Sequence, residues 1–257
     1  MNENKRIIEM KGKRIGGEDT LICTPVVGGD MGEIVEEINK IKPKKPDIIE
    51  WRADYFRELE HIDKVKDALN FIYEAMEQTP LLFTIRSEKE GGGQISLTEE
   101  EKINLINEIC ASGKVDLIDY ELINNDLTFK RLREVSKRFN VKMVGSYHNF
   151  ESTPDDSILI GKMKEAETRG ADIAKVSVMA NEEEDVLSLL RATKAADKIV
   201  SIPLVTISMG KHGNVTRLIG RMFGSTITFG IGENSSAPGQ LPIDDIRIVL
   251  NILNKSS

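Results

Sequence analysis

LLFTIR (residues 81–86) and PLVTISM (203–209) carry apolar side chains at nearly every position. A strand with one wet face alternates apolar with polar, so unbroken apolar runs suit strands covered on both faces, as in a parallel sheet wrapped by helices. Working outward, similar runs lie at 21–27, 47–52, 116–122, 142–148, 172–178 and 226–230. Between them apolar residues recur at three- and four-residue spacing, as in Met31, Ile34, Val35, Ile38 and Ile41, or Phe129, Leu132, Val135 and Phe139, which is the stripe of an amphipathic helix. Helix start and stop signals agree: Thr98 with Glu101 as a capping box, Thr153 ahead of Pro154, Gly170 as a terminator, and a last helix over 243–253. Eight strand–helix pairs need about 250 residues in a (β/α)8 barrel, whereas doubly wound sheets usually stop at about six strands. The chain of 257 residues therefore reads as an α/β fold, a (β/α)8 TIM barrel in one domain over 1–257. Residues 5–18, centred on MKGKRIGG (10–17), read as an N-terminal β-hairpin closing the barrel bottom.

Composition removes several function classes. Lys plus Arg number 35 against 42 Asp plus Glu, a net charge of −7 with no basic block, which disfavours nucleic acid. No run approaches the ~20 apolar residues of a membrane span, and the N-terminus lacks a signal-peptide core. Cys23 and Cys110 supply neither a disulfide framework nor a four-ligand metal site, so no metal is expected and the expected compartment is the cytoplasm.

In such a barrel, reacting groups come from the C-terminal strand ends and the loops after them. Glu50 and Arg52, Arg86, Asp119 and Glu121, and Ser146 and His148 fall there, with Lys175 inside DIAKVSVM (172–179). Side chains alternate along a strand, so Glu50 shares a face with Arg52, Asp119 with Glu121, and Ser146 with His148. Buried acid–base pairs of this kind also serve simply to satisfy one another. Lys175, flanked by Ile173, Ala174, Val176 and Val178, is either a desolvated amine able to attack a carbonyl or an outward lysine threading between helices to water. His148 fits a proton-transfer group with an ordinary pKa near ~6.5, oriented by a carboxylate such as Glu121, or else a core histidine held by backbone. His61 reads as a surface residue and His212 as a loop residue near the mouth. Arg52, Arg86 and Arg217 suggest a local site for a carboxylate. GENSSAPGQ (232–240) has the composition of a loop that folds over a ligand, as well as that of an ordinary surface loop.

IIEWRAD (48–54), FTIRSEKEGG (83–92), DLIDYEL (116–122), SYHNF (146–150), ADIAKVSVM (171–179) and FGSTITFG with SSAPGQ (223–240), in that order and spacing, resemble type I 3-dehydroquinate dehydratase over essentially the whole chain. The resemblance implies dehydration of 3-dehydroquinate to 3-dehydroshikimate in the shikimate pathway, with no cofactor and no metal, by a homodimer. It implies an imine on Lys175, proton transfer by His148, and Glu121 orienting that histidine. Arg217 would clamp the substrate carboxylate. Glu50, Arg52, Arg86, Ser236, Ala237 and Gln240 would contact the substrate, with Phe229 and Met209 walling the pocket. The family often carries two methionines after the seventh strand, and here Ile207 takes the place of the first. Some family members fuse the barrel to a dehydrogenase, but no GxGxxG occurs in this sequence.

Two other functions fit parts of the pattern. A different Schiff-base lyase of the aldolase kind also uses a lysine on the sixth strand, and FGIG (229–232) could hold a sugar phosphate there. A non-catalytic carboxylate-binding barrel would need neither His148 nor Lys175.

Overall fold

A computed structural model describes residues 5–255, so the extremes of the 1–257 domain reading, residues 1–4 and 256–257, lie outside the described residues. The chain opens with an antiparallel hairpin, β1 (Ile8–Met10) on β2 (Lys13–Ile15), with Ile8 opposite Ile15. Its tip places Lys11 and Gly12 at φ of 44° and 74°, the positive values that two-residue hairpin turns require.

Strands and helices then alternate: β3 (Leu21–Val26), α1 (Met31–Ile41), β4 (Ile48–Arg52), α2 (Ile62–Ala75), β5 (Leu81–Thr84), α3 (Glu99–Ala111), β6 (Leu117–Glu121), α4 (Asp126–Arg138), β7 (Lys142–Asn149), α5 (Asp156–Thr168), β8 (Ile173–Met179), α6 (Glu183–Ile199) and β9 (Leu204–Met209). Two short helices, α7 (Gly210–Gly213) and α8 (Thr216–Ile219), lead to β10 (Ile227–Ile231), β11 (Leu241–Pro242) and α9 (Ile243–Asn254). Strands β3 to β9 pair in parallel in chain order, and β10 lies on the other side of β3. The seam between β9 and β10 closes through a Leu204–Ser225 bridge, with the Thr226 amide donating to the Leu204 carbonyl at 2.8 Å. β11 adds a two-residue pairing to β10.

Strand alternation sorts the core into two. Outward residues such as Ile49, Trp51, Phe83, Ile118, Met143 and Val176 pack on the helix stripes of Ile38, Leu69, Ile106, Leu132 and Met163. Inward residues Leu21, Ile48, Leu82, Leu117, Val144 and Ile173 fill the barrel floor, where Ile8 and Ile15 of the hairpin join them. The hairpin thus plugs the bottom, leaving the opposite end of the interior for polar side chains. Each unit is the α/β arrangement expected of a TIM barrel.

Two local expectations fail. Thr153 does not start α5: its hydroxyl donates to the Met179 carbonyl at 2.7 Å, and the helix begins after Asp155. In α1, Val35 is only half-buried and Glu37 turns inward, because its carboxylate accepts the Val27 and Gly28 amides at 2.8 and 2.9 Å. Thr98 and Glu101 form the capping box, and Gly170 ends α5 at a φ of 88°.

Candidate active site

Alternation on β8 turns Lys175 into the barrel, paired with Ser146 on β7 and Val205 on β9. The residue is 5% exposed, which removes the outward, threading alternative. Its Nζ lies 3.3 Å from Asp119 Oδ2, 3.5 Å from Glu50 Oε1 and 4.6 Å from the centre of the Phe229 ring. The nearest charges to it are these carboxylates, the kind of pairing a buried lysine requires. Glu50 is held in turn by the Thr84 hydroxyl at 3.0 Å.

His148 stands two residues beyond Ser146 on the same strand, so it faces the same cavity as Lys175. Its partner is Glu90, not Glu121. Glu90 Oε2 lies 2.8 Å from Nδ1 and accepts the His148 backbone amide at 3.0 Å. With one lone pair committed to that amide, the other is left for an Nδ1–H, which leaves Nε2 free to accept a proton. Burial, reinforced by Arg86 and Lys175, pushes the imidazole well below its ordinary pKa, so it is neutral at pH 7. Burial, with repulsion from Glu121 and Asp119 and against the pull of Arg86, pushes the Glu90 carboxyl up to about 8.

Of the residues that the resemblance assigns to the site, Glu121 alone does not line the cavity. At the end of β6 its Oε1 accepts the Ser87 amide at 2.7 Å and Arg86 Nη1 at 3.1 Å, which draws it away from the imidazole. Glu90 was missed because it lies on the loop after β5, outside the strand ends. The signal in the sequence was a carboxylate followed by three glycines, EGGG (90–93).

The three arginines all reach the cavity, yet only one is available to an anion. Arg86 is neutralised by Asp119 at 2.8 Å and Glu121 at 3.1 Å, and it also donates to Ser146 Oγ at 2.9 Å. Arg52 is neutralised by Asp54 through bonds of 2.9 and 2.8 Å. Arg217, 2% exposed, meets only carbonyls among the described residues, those of Gly239 at 2.9 Å, Pro238 at 3.2 Å and Phe229 at 3.3 Å. Burial lowers its pKa to about 10, which still leaves it charged at neutral pH.

Within residues 232–240, Ser236, Ala237 and Gln240 line the cavity. The Ser236 amide donates to Gln240 Oε1 at 2.9 Å, Gln240 Nε2 donates to Ser236 Oγ at 3.2 Å, and the Gly210 amide donates to the Pro238 carbonyl at 3.3 Å. Ser236, Ala237, Gln240, Met209, Ile207 and Phe229 line one cavity with Lys175, His148, Glu50, Arg52, Arg86 and Arg217. Glu90, Phe150 and Ser177, which the sequence did not single out, complete it. Among the described residues, no group of three or more His, Cys, Asp or Glu could hold a metal, and no helix is long and apolar enough to cross a membrane.

The family model for type I 3-dehydroquinase matches residues 22–257. A 3-dehydroquinate dehydratase of Geobacillus sp. (strain WCH70) is 50% identical over 255 residues, spanning 99% of this chain and 98% of that protein. The crystal structure of 3-dehydroquinate dehydratase from Geobacillus kaustophilus HTA426 is similar with a TM-score of 0.97 at 45% identity, covering 100% of both chains. The type I enzyme of Clostridium difficile, solved with covalently modified comenic acid, gives 0.95 at 37% identity over 99% of this chain and 100% of that one.

Proposed function

The chain belongs to the type I 3-dehydroquinase family, and from that premise we propose which of its residues perform the reaction. The reaction is the Schiff-base dehydration of 3-dehydroquinate to 3-dehydroshikimate in the shikimate pathway, and the enzyme is a hydro-lyase. The observation that carries the assignment is a single cavity lined by a buried amine, a neutral imidazole and a guanidinium that has no carboxylate partner among the described residues.

Arg217 seats the substrate carboxylate, supplying the charge that the Arg52–Asp54 and Arg86–Asp119 pairs have already spent. Lys175 Nζ attacks the keto carbon, and the carbinolamine loses water to give an iminium that draws electrons from the adjacent carbon. His148 Nε2 takes the proton from that carbon, the resulting enamine expels the hydroxyl, and the imidazolium returns its proton to that leaving group. Water then releases the product and regenerates the amine. Glu90, in the role expected of Glu121, fixes the imidazole tautomer, and Glu121 positions Arg86. Glu50, Arg52, Arg86, Ser236, Ala237 and Gln240 hold the ring substituents, while Phe229 and Met209 shape the wall. The functional unit is a cytoplasmic homodimer of single barrel domains that binds neither nucleic acid nor membrane.

A sugar-phosphate lyase fits less well. In FGIG a Cβ at Gly232 would lie 2.4 Å from Ile41 Cγ1 and 2.7 Å from Thr24 Cγ2, so that glycine serves packing instead of approach to a phosphate.

Purified protein mixed with 3-dehydroquinate should give rising ultraviolet absorbance from the conjugated product, unchanged by a chelator; flat absorbance would remove the assignment. Arg217→Ala should lower kcat/KM roughly tenfold to a hundredfold, mainly through KM, as befits loss of a charged hydrogen bond of about 1.5–3 kcal/mol. Steady-state kinetics check this, and an unchanged kcat/KM would free Arg217 of its role.

A further inference from the structure

We propose that Asp54 is a positioning residue for the dehydration: it clamps Arg52 and the loop bearing Glu90 into one unit, so proton transfer through His148 depends on a carboxylate outside the cavity. The proposal rests on the assignment of His148 and Glu90 to proton transfer.

Asp54 follows β4 by two residues, and its side chain is wholly buried. A carboxylate offers about four lone-pair positions, and here each meets a donor. Oδ1 accepts Arg52 Nε at 2.9 Å and the Arg86 amide at 3.1 Å; Oδ2 accepts Arg52 Nη2 at 2.8 Å and the Gly93 amide at 2.9 Å. A mere counter-ion for Arg52 would need only two of these bonds. The other two fall on the amides that bracket residues 87–92, the segment that presents Glu90 to the imidazole.

The glycines of EGGG show how closely that segment is seated. A Cβ at Gly93 would lie 2.5 Å from the Asp54 carbonyl oxygen, one at Gly92 2.0 Å from that of Arg86, and one at Gly91 2.4 Å from the Phe150 ring. Gly91 also has a φ of 78°, which side chains rarely adopt. Within the segment the Ser87 carbonyl accepts the Glu90 and Gly92 amides at 3.0 and 2.8 Å, so the turn moves as one piece once its two tethers are released. Burial acts to raise the Asp54 carboxyl, but Arg52 and the two amides outweigh it and hold the group below the usual carboxylate range. The clamp is therefore ionised throughout the working pH range.

Asp54→Asn keeps the shape but points an NH2 group at existing donors. Its kcat should fall at least ~10-fold, since displacing a catalytic group by about 1 Å can cost 10²-fold. KM should rise as Arg52 loosens. The acid limb of kcat against pH should move to lower pH, because water reaching Glu90 relieves the burial that holds its carboxyl high. Borohydride adduct formation on Lys175 should persist. Gly93→Ala keeps the Asp54 carboxylate and the Arg52 guanidinium but presses a Cβ against the Asp54 carbonyl at the second tether, so it should lose kcat and shift the limb. Wild-type kcat and pH profile in Asp54→Asn, with only KM altered, would reduce Asp54 to a counter-ion and overturn the proposal. Should Asp54→Asn not fold, Gly93→Ala decides alone, and a wild-type kcat and limb there overturn it as well. His148→Ala assayed in parallel separates the failures: full turnover in that variant defeats the proton-transfer assignment, whereas its inactivity beside two normal variants defeats only the clamp.

Discussion

Lys175→Met should yield a folded barrel that turns over 3-dehydroquinate at least roughly 10⁴-fold more slowly, the order of loss that follows removal of a covalent nucleophile. Methionine matches the length and apolar stem of lysine, so the wall against Phe229 persists while the amine is gone. The remaining carboxylates are not stranded: Asp119 keeps Arg86 at 2.8 Å and Glu50 keeps the Thr84 hydroxyl at 3.0 Å. Stability should therefore fall by less than the ~3–5 kcal/mol typical of breaking a buried ion pair outright. Product absorbance reports the rate, and circular dichroism melting reports the fold. Turnover within tenfold of wild type in a folded Lys175→Met variant would mean that no covalent bond to this residue is needed.

His148→Ala should lower kcat by about 10²–10⁴-fold, the range of a general acid–base group, while leaving imine formation on Lys175 intact. The structure separates the two functions, because the amine rests on Asp119 and Glu50 while the imidazole rests on Glu90. Glu90→Gln should cost less and should shift the acid limb of kcat/KM to lower pH. The sign follows because the carboxyl that titrates at about 8 is removed from the site. Normal turnover by His148→Ala, measured by product absorbance across pH, would contradict the role given to the histidine. A limb left in place by Glu90→Gln would contradict the role given to its partner.

Much of this molecule is legible in its sequence because both faces of the strands are buried. Observed strands such as Leu21–Val26 and Ile48–Arg52 differ by one residue from the runs at 21–27 and 47–52. Period-two alternation then placed Glu50, Arg52, Ser146 and His148 on the inner wall without coordinates. Contacts across loops were harder to read. Sequence distance gives no sign that Ser87 and Arg86 draw Glu121 aside, or that residues 91–93 fold Glu90 onto the imidazole. Charge pairing was equally hidden. Three arginines at one mouth suggest a local site for a carboxylate, but among the described residues partner carboxylates leave only Arg217 without a counter-ion. Thr153 misled for a related reason, since a hydroxyl that suits a helix cap also suits a carbonyl on the next strand.

Borohydride reduction of the enzyme in the presence of 3-dehydroquinate, followed by peptide mass spectrometry, tests the central claim most directly. One reduced ligand mass should appear on the peptide containing Lys175 and on no other lysine peptide. An enzyme that dehydrates its substrate at full rate yet yields no adduct, or an adduct on a different lysine, would contradict the imine assigned to this residue.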